Sequence, residues 1–252
     1  MPTFIHGKGT KVYVDEFSMS PWINSAEMTM STDTSEVTAF DATSRSYLKG
    51  LGGGTVTLGG MWSADTDGSD EELHALLGNA TTPLISVHEG GDGIGNRAVV
   101  AQANEVNYSI SNPVADVSTI TADFQVSANN RPDFYGIRSG VQLTAGASID
   151  YNALGNLTGV DGTAATTGGG VGILHVPTNS IGGGVTTIKV QHDSSSGFGS
   201  AADLISFTTV GASTKTSELV AVSGTINRYV RATASTAGSS GSITFMVSLA
   251  RF

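Results

Sequence analysis

Residues 98–127, AVVAQANEVNYSISNPVADVSTITADFQVS, contain two runs that alternate apolar and polar side chains around a short break. In the first, Val106, Tyr108 and Ile110 alternate with Glu105, Asn107 and Ser109; in the second, Ile120, Ala122, Phe124 and Val126 alternate with Thr119, Thr121, Asp123 and Gln125. Successive side chains of a strand point to opposite faces, so residues 98–111 and 117–127 are predicted to pair as antiparallel strands. One face would be apolar, the other a surface of hydroxyls, amides and carboxylates.

Upstream the same period continues. Residues 55–62 set Val56, Leu58, Gly60 and Trp62 against Thr55, Thr57, Gly59 and Met61, and residues 27–31 set Met28 and Met30 against Glu27, Thr29 and Ser31. Residues 11–15 and 83–88 read as further strands. Between them, residues 32–54 are polar and long for a loop, a length that marks functional or docking segments. Phe40, Tyr47, Leu48 and Leu51 within it are too apolar to stay in water, so burial against another subunit is expected. One helix is predicted from Ser69: Glu72 completes a capping box, Asp70, Glu71 and Glu72 suit the positive end of the dipole, and Gly78 suits the stop. Leu73, Leu76 and Leu77 would be its apolar face.

Downstream, composition shifts near Gly140, and residues 158–170 (TGVDGTAATTGGG) read as a linker or flexible loop. Strands are then predicted at 172–176, 186–192, 204–208, 218–223, 229–235 and 243–252, enough for a small β-sandwich of Ig-like or jelly-roll-like type. The expected organisation is all-β with one short helix, divided into an N-terminal two-sheet sandwich or barrel (1–140), a linker (141–170) and a C-terminal β-sandwich (171–252). With 33 glycines, little charge and few helix formers, the 252 residues disfavour a helical or doubly wound alternative.

Charge divides at the same place. Up to Gly140 seventeen acidic residues face seven basic ones, an excess of ten; beyond it five acids balance five bases. Such a chain repels nucleic acid instead of gripping it, because affinity for phosphates comes from Lys and Arg. Repulsion is useful where DNA must pass without sticking.

Motifs of catalysis fail on inspection. The absence of cysteine removes disulfides, thiolate zinc sites and a cysteine nucleophile. Asp65–Asp70 (DTDGSD) resembles the start of a calcium loop but lacks the Gly and Glu spacing. Gly90–Asn96 (GGDGIGN) lacks the third Gly of a dinucleotide fingerprint and the helix that should follow, and reads as a hairpin turn. The five histidines fall in no metal-ligand spacing, and His192-Asp193 comes without a nucleophile elbow or a paired carboxylate. No enzyme, cofactor or metal is expected. No basic n-region with an apolar h-region opens the sequence and no apolar run suits a membrane helix, so neither membrane association nor standard export is expected.

Read together, His6–Asp15 (HGKGTKVYVD), Asp33–Phe40, Tyr47–Leu51 (YLKGL) and Thr55–Gly60 (TVTLGG), followed by the helix ending Leu76-Leu77-Gly78 and the pair at 98–127, resemble the tail tube (major tail) proteins of long-tailed bacteriophages over residues 5–127. The resemblance implies two packed β-sheets with a flanking helix, hexameric rings stacked into a tube around a lumen for viral DNA, and tape measure and tail terminator proteins as further partners. It implies a subunit made in the bacterial cytoplasm and built into the virion tail. One sheet would line the lumen, with Glu27, Thr57, Glu105, Asn107, Thr119, Asp123 and Gln125 as candidates. The long loop would reach the neighbouring ring through Phe40, Arg45, Tyr47, Leu48, Lys49 and Leu51, and an N-terminal arm, residues 1–10, would add a second contact between subunits. The C-terminal half resembles accessory sandwich modules on the outside of phage particles, which minimal tail tube proteins lack. The alternative is a capsid or surface decoration protein, or a host-glycan-binding one.

Overall fold

The structure, a computed structural model, describes residues 6–127 and 136–252. Residues 1–5 of the expected N-terminal arm lie outside the described residues. Strands β1 (Lys11–Val14) and β2 (Phe17–Ser18) form a short hairpin, and β3 (Ile23–Glu36) and β4 (Tyr47–Met61) a long one. Helix α1 (Ser69–His74) is followed by β5 (Leu84–His88), β6 (Arg97–Ser111), β7 (Thr119–Val126) and β8 (Ile137–Gln142). The chain continues through β9 (Ile149–Asp150), β10 (Val160–Asp161), β11 (Gly170–Asn179), β12 (Thr186–Asp193), β13 (Ala202–Ser206), β14 (Thr216–Val222), β15 (Tyr229–Thr236) and β16 (Ser242–Arg251). It is a mostly β protein with one short helix and antiparallel sheets.

A spine sheet runs β14-β11-β16-β8-β6-β5-β1-β2. Beyond its pairing with β8, strand β6 carries on into a second limb, β3-β4-β7-β6, while β10-β15-β12-β13 forms a separate sheet. Alternation explains why the spine strands are so apolar. Ile85 and Val87 point into a core with Val56, Leu58, Ile120, Ala122 and Phe124 of the limb, while Leu84, Ser86 and His88 point the other way. All five residues of β5 are buried, as expected when both faces of a strand are covered. In the second half Ile243, Phe245, Val247 and Leu249 of β16 pack with Ile188, Val190, Val230 and Ala232 across to the separate sheet, so three strands (β11, β14, β16) face four.

The composition boundary at Gly140 falls inside β8, which joins the two halves. On one side it pairs with β6 from Ile137↔Ala101 to Val141↔Arg97, on the other with β16 through Val141↔Leu249 and Gln142↔Ser248. A side chain at Gly140 would meet the Leu249 carbonyl at 2.5 Å, so glycine is required for this close approach.

The remaining spine face carries a buried polar seam. Asp92 accepts from the Tyr13 hydroxyl and from His88 Nδ1, each at 2.9 Å, and His88 Nε2 lies 3.3 Å from Ser248 Oγ. Ser86 Oγ is 2.7 Å from His175 Nε2, and His175 Nδ1 donates to the Asp15 carbonyl. In each imidazole Nδ1 donates to an oxygen and Nε2 lies against a serine hydroxyl. Burial drives His175 down from 6.5 to about 3. Because its folded value is depressed, this contribution to stability is complete above the ordinary histidine value and is lost as pH falls from 6.5 toward 3. Urea unfolding should therefore weaken by up to about 1.4 kcal/mol per pH unit across that window. His175→Gln should flatten that slope; an unchanged slope would remove His175 as its cause.

Candidate assembly surface

The limb presents one face to the core and one to solvent. Backbone register aligns Glu27 with Thr57, Thr57 with Asp123, and Asp123 with Asn107, so four predicted residues form a single row across β3, β4, β7 and β6. The Asp123 carboxylate is held at its centre: Thr57 Oγ1 donates to one oxygen at 2.8 Å and Asn107 Nδ2 to the other at 2.9 Å. Gln125 lies one pleat along the same face and donates to the Gly54 carbonyl at 2.9 Å. Thr119 is exposed at the far end, paired with Met61 and Ser111. The face is dense in hydroxyl and amide groups and carries carboxylates at Glu27 and Asp123.

Glu105 is the exception and a correction. The ladder between β6 and β7 slips by one residue between Glu105 and Asn107, a bulge at Val106. Alternation is reversed upstream of it, so Glu105 pairs with Phe124 and turns to the core, 7% exposed, while Val106 is 58% exposed. Neither carboxyl oxygen has a hydrogen-bond partner, and burial pushes the group up to about 8. A strict two-residue period cannot anticipate this.

The predicted loop at 32–54 is also corrected. Its ends are strand: β3 continues to Glu36 and β4 starts at Tyr47, with Thr34↔Lys49, Ser35↔Leu48 and Glu36↔Tyr47 in register, leaving residues 37–46 as the connection. Because β7 covers β4 only from Thr55 onward, the outer part of this hairpin is a two-stranded arm with both faces in solvent. Leu48 and Leu51 are 61% and 82% exposed, Phe40 is fully exposed, and Tyr47 is half exposed. Lys49 is exposed too, and Arg45 makes only a loose ion pair with Glu36 at 3.9 Å. At the root of the arm, a side chain at Gly54 would strike the Thr29 carbonyl at 2.4 Å, so the hairpin leaves the body at a point where only glycine fits.

Two edges of the limb have no strand beside them among the described residues. The outer side of β3 is open along its length, and β7 follows β8 along one side of β6 while the other side is unpaired beyond Leu84↔Gln102, where β5 starts.

Helix α1 flanks the limb, with its cap assigned differently from the sequence reading. Gly68 is the N-cap residue, and Ser69 lies inside the helix, its hydroxyl donating to the Met61 carbonyl at 2.8 Å. The Asp67 amide is taken by Glu71 instead. Asp70 accepts from the Tyr108 hydroxyl at 2.7 Å, tying the helix to β6. Asp67 of the acidic turn pairs with Lys215 at 2.5 Å.

Sequence reasoning missed the order Ser248–His88–Asp92, which has the connectivity of a catalytic triad and joins two segments distant in sequence. Ser248 is 1% exposed and His88 is fully buried, so the hydroxyl cannot meet a substrate; the group is architectural. The His192-Asp193 pair is likewise used locally, His192 accepting from the Asn227 amide and Asp193 from the Ser195 and Ser200 amides.

No family model and no curated protein matches the chain. Among solved structures it is similar to a chain of the virion of a native gene transfer agent particle, at 13% identity over 49% of this chain and 94% of that one, with a TM-score of 0.41. A chain from the tail of an empty gene transfer agent particle with C6 symmetry matches at 14% identity over 42% of this chain and 78% of that one, TM-score 0.36. The SPP1 Dit protein, described as a hub of the adsorption apparatus in phages of Gram-positive hosts, matches at 12% identity over 96% of this chain and 99% of its own, TM-score 0.36.

The Asp123 network gives a local test. Thr57→Val and Asn107→Ala should each destabilise by about 0.5–1.5 kcal/mol, and the double variant by less than the sum, because both donors serve one carboxylate. Strict additivity in urea unfolding would mean that the two bonds are independent.

Proposed function

We propose that this chain is a structural subunit of a phage-like virion tail, assembling as six-membered rings in which the β3-β4-β7-β6 limbs join edge to edge into one barrel. The observation that carries this reading is the pair of open edges on one sheet, one of them the 14-residue β3. Long open edges are an association hazard in a lone molecule. Pairing the β3 edge of one copy with the β6 edge of the next is a heterologous contact, which closes into a ring when the rotation per subunit divides a full turn.

In such a ring the row Glu27–Thr57–Asp123–Asn107 faces the lumen, with Thr119 and Gln125 above and below it. Sixfold repetition turns two carboxylates per subunit into bands of negative charge. Fields of that kind act over about 8–10 Å in ordinary salt and keep phosphates from settling on the wall. Viral DNA would slide through without being bound. Glu105, facing the core, makes no such contribution in this conformation.

The arm supplies the contact between stacked rings. Phe40, Tyr47, Leu48 and Leu51 gain by burial what they lose in water, roughly 25 cal/mol per Å² of apolar surface, and Arg45 and Lys49 flank them. The division into a tube module (1–140), a connecting segment (141–170) and an outer sandwich (171–252) belongs to the same reading. It is supported by an apolar core within each half, beside a smaller cluster that the two share, and by the excess of negative charge confined to the first. The sandwich would project from the tube exterior, and tape measure and terminator proteins would meet the tube at its lumen and its end.

Electron microscopy of the purified protein should show rings and tubes about one lumen. Leu48→Asp should leave rings but stop their stacking; normal tubes from that variant would remove the arm from the interface. Glu27→Lys combined with Asp123→Lys should permit assembly yet slow DNA ejection, most strongly at low salt, and ejection unchanged at every salt concentration would place this row elsewhere. Finding the chain on purified heads instead of tails would overturn the reading as a whole.

A further inference from the structure

The bulge in β6 is placed so that a shift of two residues exchanges the environments of two side chains and of almost nothing else. Up to Glu105 the ladder pairs Ala103 with Val126, Asn104 with Gln125 and Glu105 with Phe124; from Asn107 it is offset by one, with Asn107 on Asp123 and Tyr108 on Ala122. If the extra residue were Asn104 instead of Val106, Ala103 would keep Val126 and Asn107 would keep Asp123. Glu105 would then oppose Gln125 on the solvent face, and Val106 would oppose Phe124 in the core. Asn104 is exposed already and loses nothing by becoming the bulged residue.

The alternation of Val106, Tyr108 and Ile110 with Glu105, Asn107 and Ser109 matches this second register. The observed register instead buries a carboxyl whose two oxygens have no partner and leaves a valine 58% exposed. We propose that β6 is a two-state element in which the bulge migrates between Val106 and Asn104, carrying Glu105 from the core to the solvent face when its carboxyl ionises.

The surroundings of Glu105 set the direction. On the core face β7 offers Phe124 and Val126, which are apolar; on β6 itself stands Tyr108. From α1 come Asp70, already bound to the Tyr108 hydroxyl, and His74, whose ring lies 5.5 Å from that of Tyr108. No lysine or arginine stands among these to compensate a buried carboxylate, and burial places the inward group at about 8 against an ordinary 4.5. On the solvent face the neighbouring charge is Asp123, a diagonal neighbour whose repulsion opposes the outward state and weakens with salt. The inward register is therefore favoured fully below pH 4.5 and loses ground as pH rises toward 8, by about tenfold in the equilibrium for each unit. Migration also lengthens the regular part of the open β6 edge from its start at Asn107 back to Glu105.

The chain has no cysteine, so single thiols report cleanly. Val106→Cys should react quickly with a methanethiosulfonate reagent at pH 5 and slowly at pH 8. Its rate is taken relative to Val114→Cys, which is fully exposed in the β6–β7 connection and corrects for thiolate fraction. A relative fall of about tenfold or more is expected, and it should vanish when Glu105→Gln is added. A ratio that stays constant across pH, or that falls equally with Glu105→Gln, would overturn the proposal. Urea unfolding gives an independent reading on the chain without added thiols. With migration, the stability of the parent relative to Glu105→Gln stops falling below pH 8, once the outward register takes over. A carboxyl locked in the core would instead make it fall by tenfold in the unfolding constant for each unit up to pH 8.

Discussion

Asp92 is the residue on which the two halves of this molecule converge. It binds Tyr13 of β1 and His88 of β5, and through His88 it reaches Ser248 of β16, more than a hundred residues away in sequence. Beside it, His175 of β11 links Ser86 to the backbone at Asp15. Tyr13 lies between the two imidazoles, 5.2 and 5.7 Å from their ring centres. A buried network of this kind contributes little if half satisfied and fixes one arrangement when every member is paired. Apolar partners alone, such as Val100, Ile173 and Leu219 in the adjoining cluster, would pack in several registers. The seam admits one, and that register sets how β1, β5, β11 and β16 lie within the spine.

Much of this was legible in the sequence because strands with one wet face announce themselves. The alternation in β4 and β7 predicted the buried residues Val56, Leu58, Ile120, Ala122 and Phe124. All six strands expected after residue 170 are present. What stayed hidden has physical reasons. β8 reads IRSGVQ, with Gly140 required by a neighbour that the local sequence cannot reveal. The arm looked like a loop because a two-stranded ribbon with solvent on both faces has no apolar side to alternate against. Ser69 looked like a cap because its spacing to Glu72 is right, but its hydroxyl is taken by Met61. The seam was invisible because it joins residues from four strands and two turns by single contacts, none of which forms a motif.

The candidate surface was partly legible for the same reason. Glu27, Thr57, Asn107 and Asp123 were grouped by face parity alone, and register then placed them in one row. Parity failed at Glu105 because a single inserted residue reverses it. The acidic character of the first 140 residues is accordingly less concentrated on this face than composition suggests. Asp92 serves the seam, Asp67 holds Lys215, and Asp70 holds Tyr108. Charge counted along a chain overstates the charge available to any one surface.

The junction at β8 has a consequence in time. Its partner β16 ends at Arg251, so the spine sheet cannot close around Val141 and Gln142 until the ribosome has delivered residues made long after the limb and the arm. Contacts of such sequence separation form late, since the loop they close costs entropy before any burial repays it. At about 5–20 residues per second the first half waits many seconds with its arm already made but its spine incomplete. Completion of the fold is thereby tied to the delivery of β16, and a nascent chain that still lacks it is a poor partner for its finished neighbours.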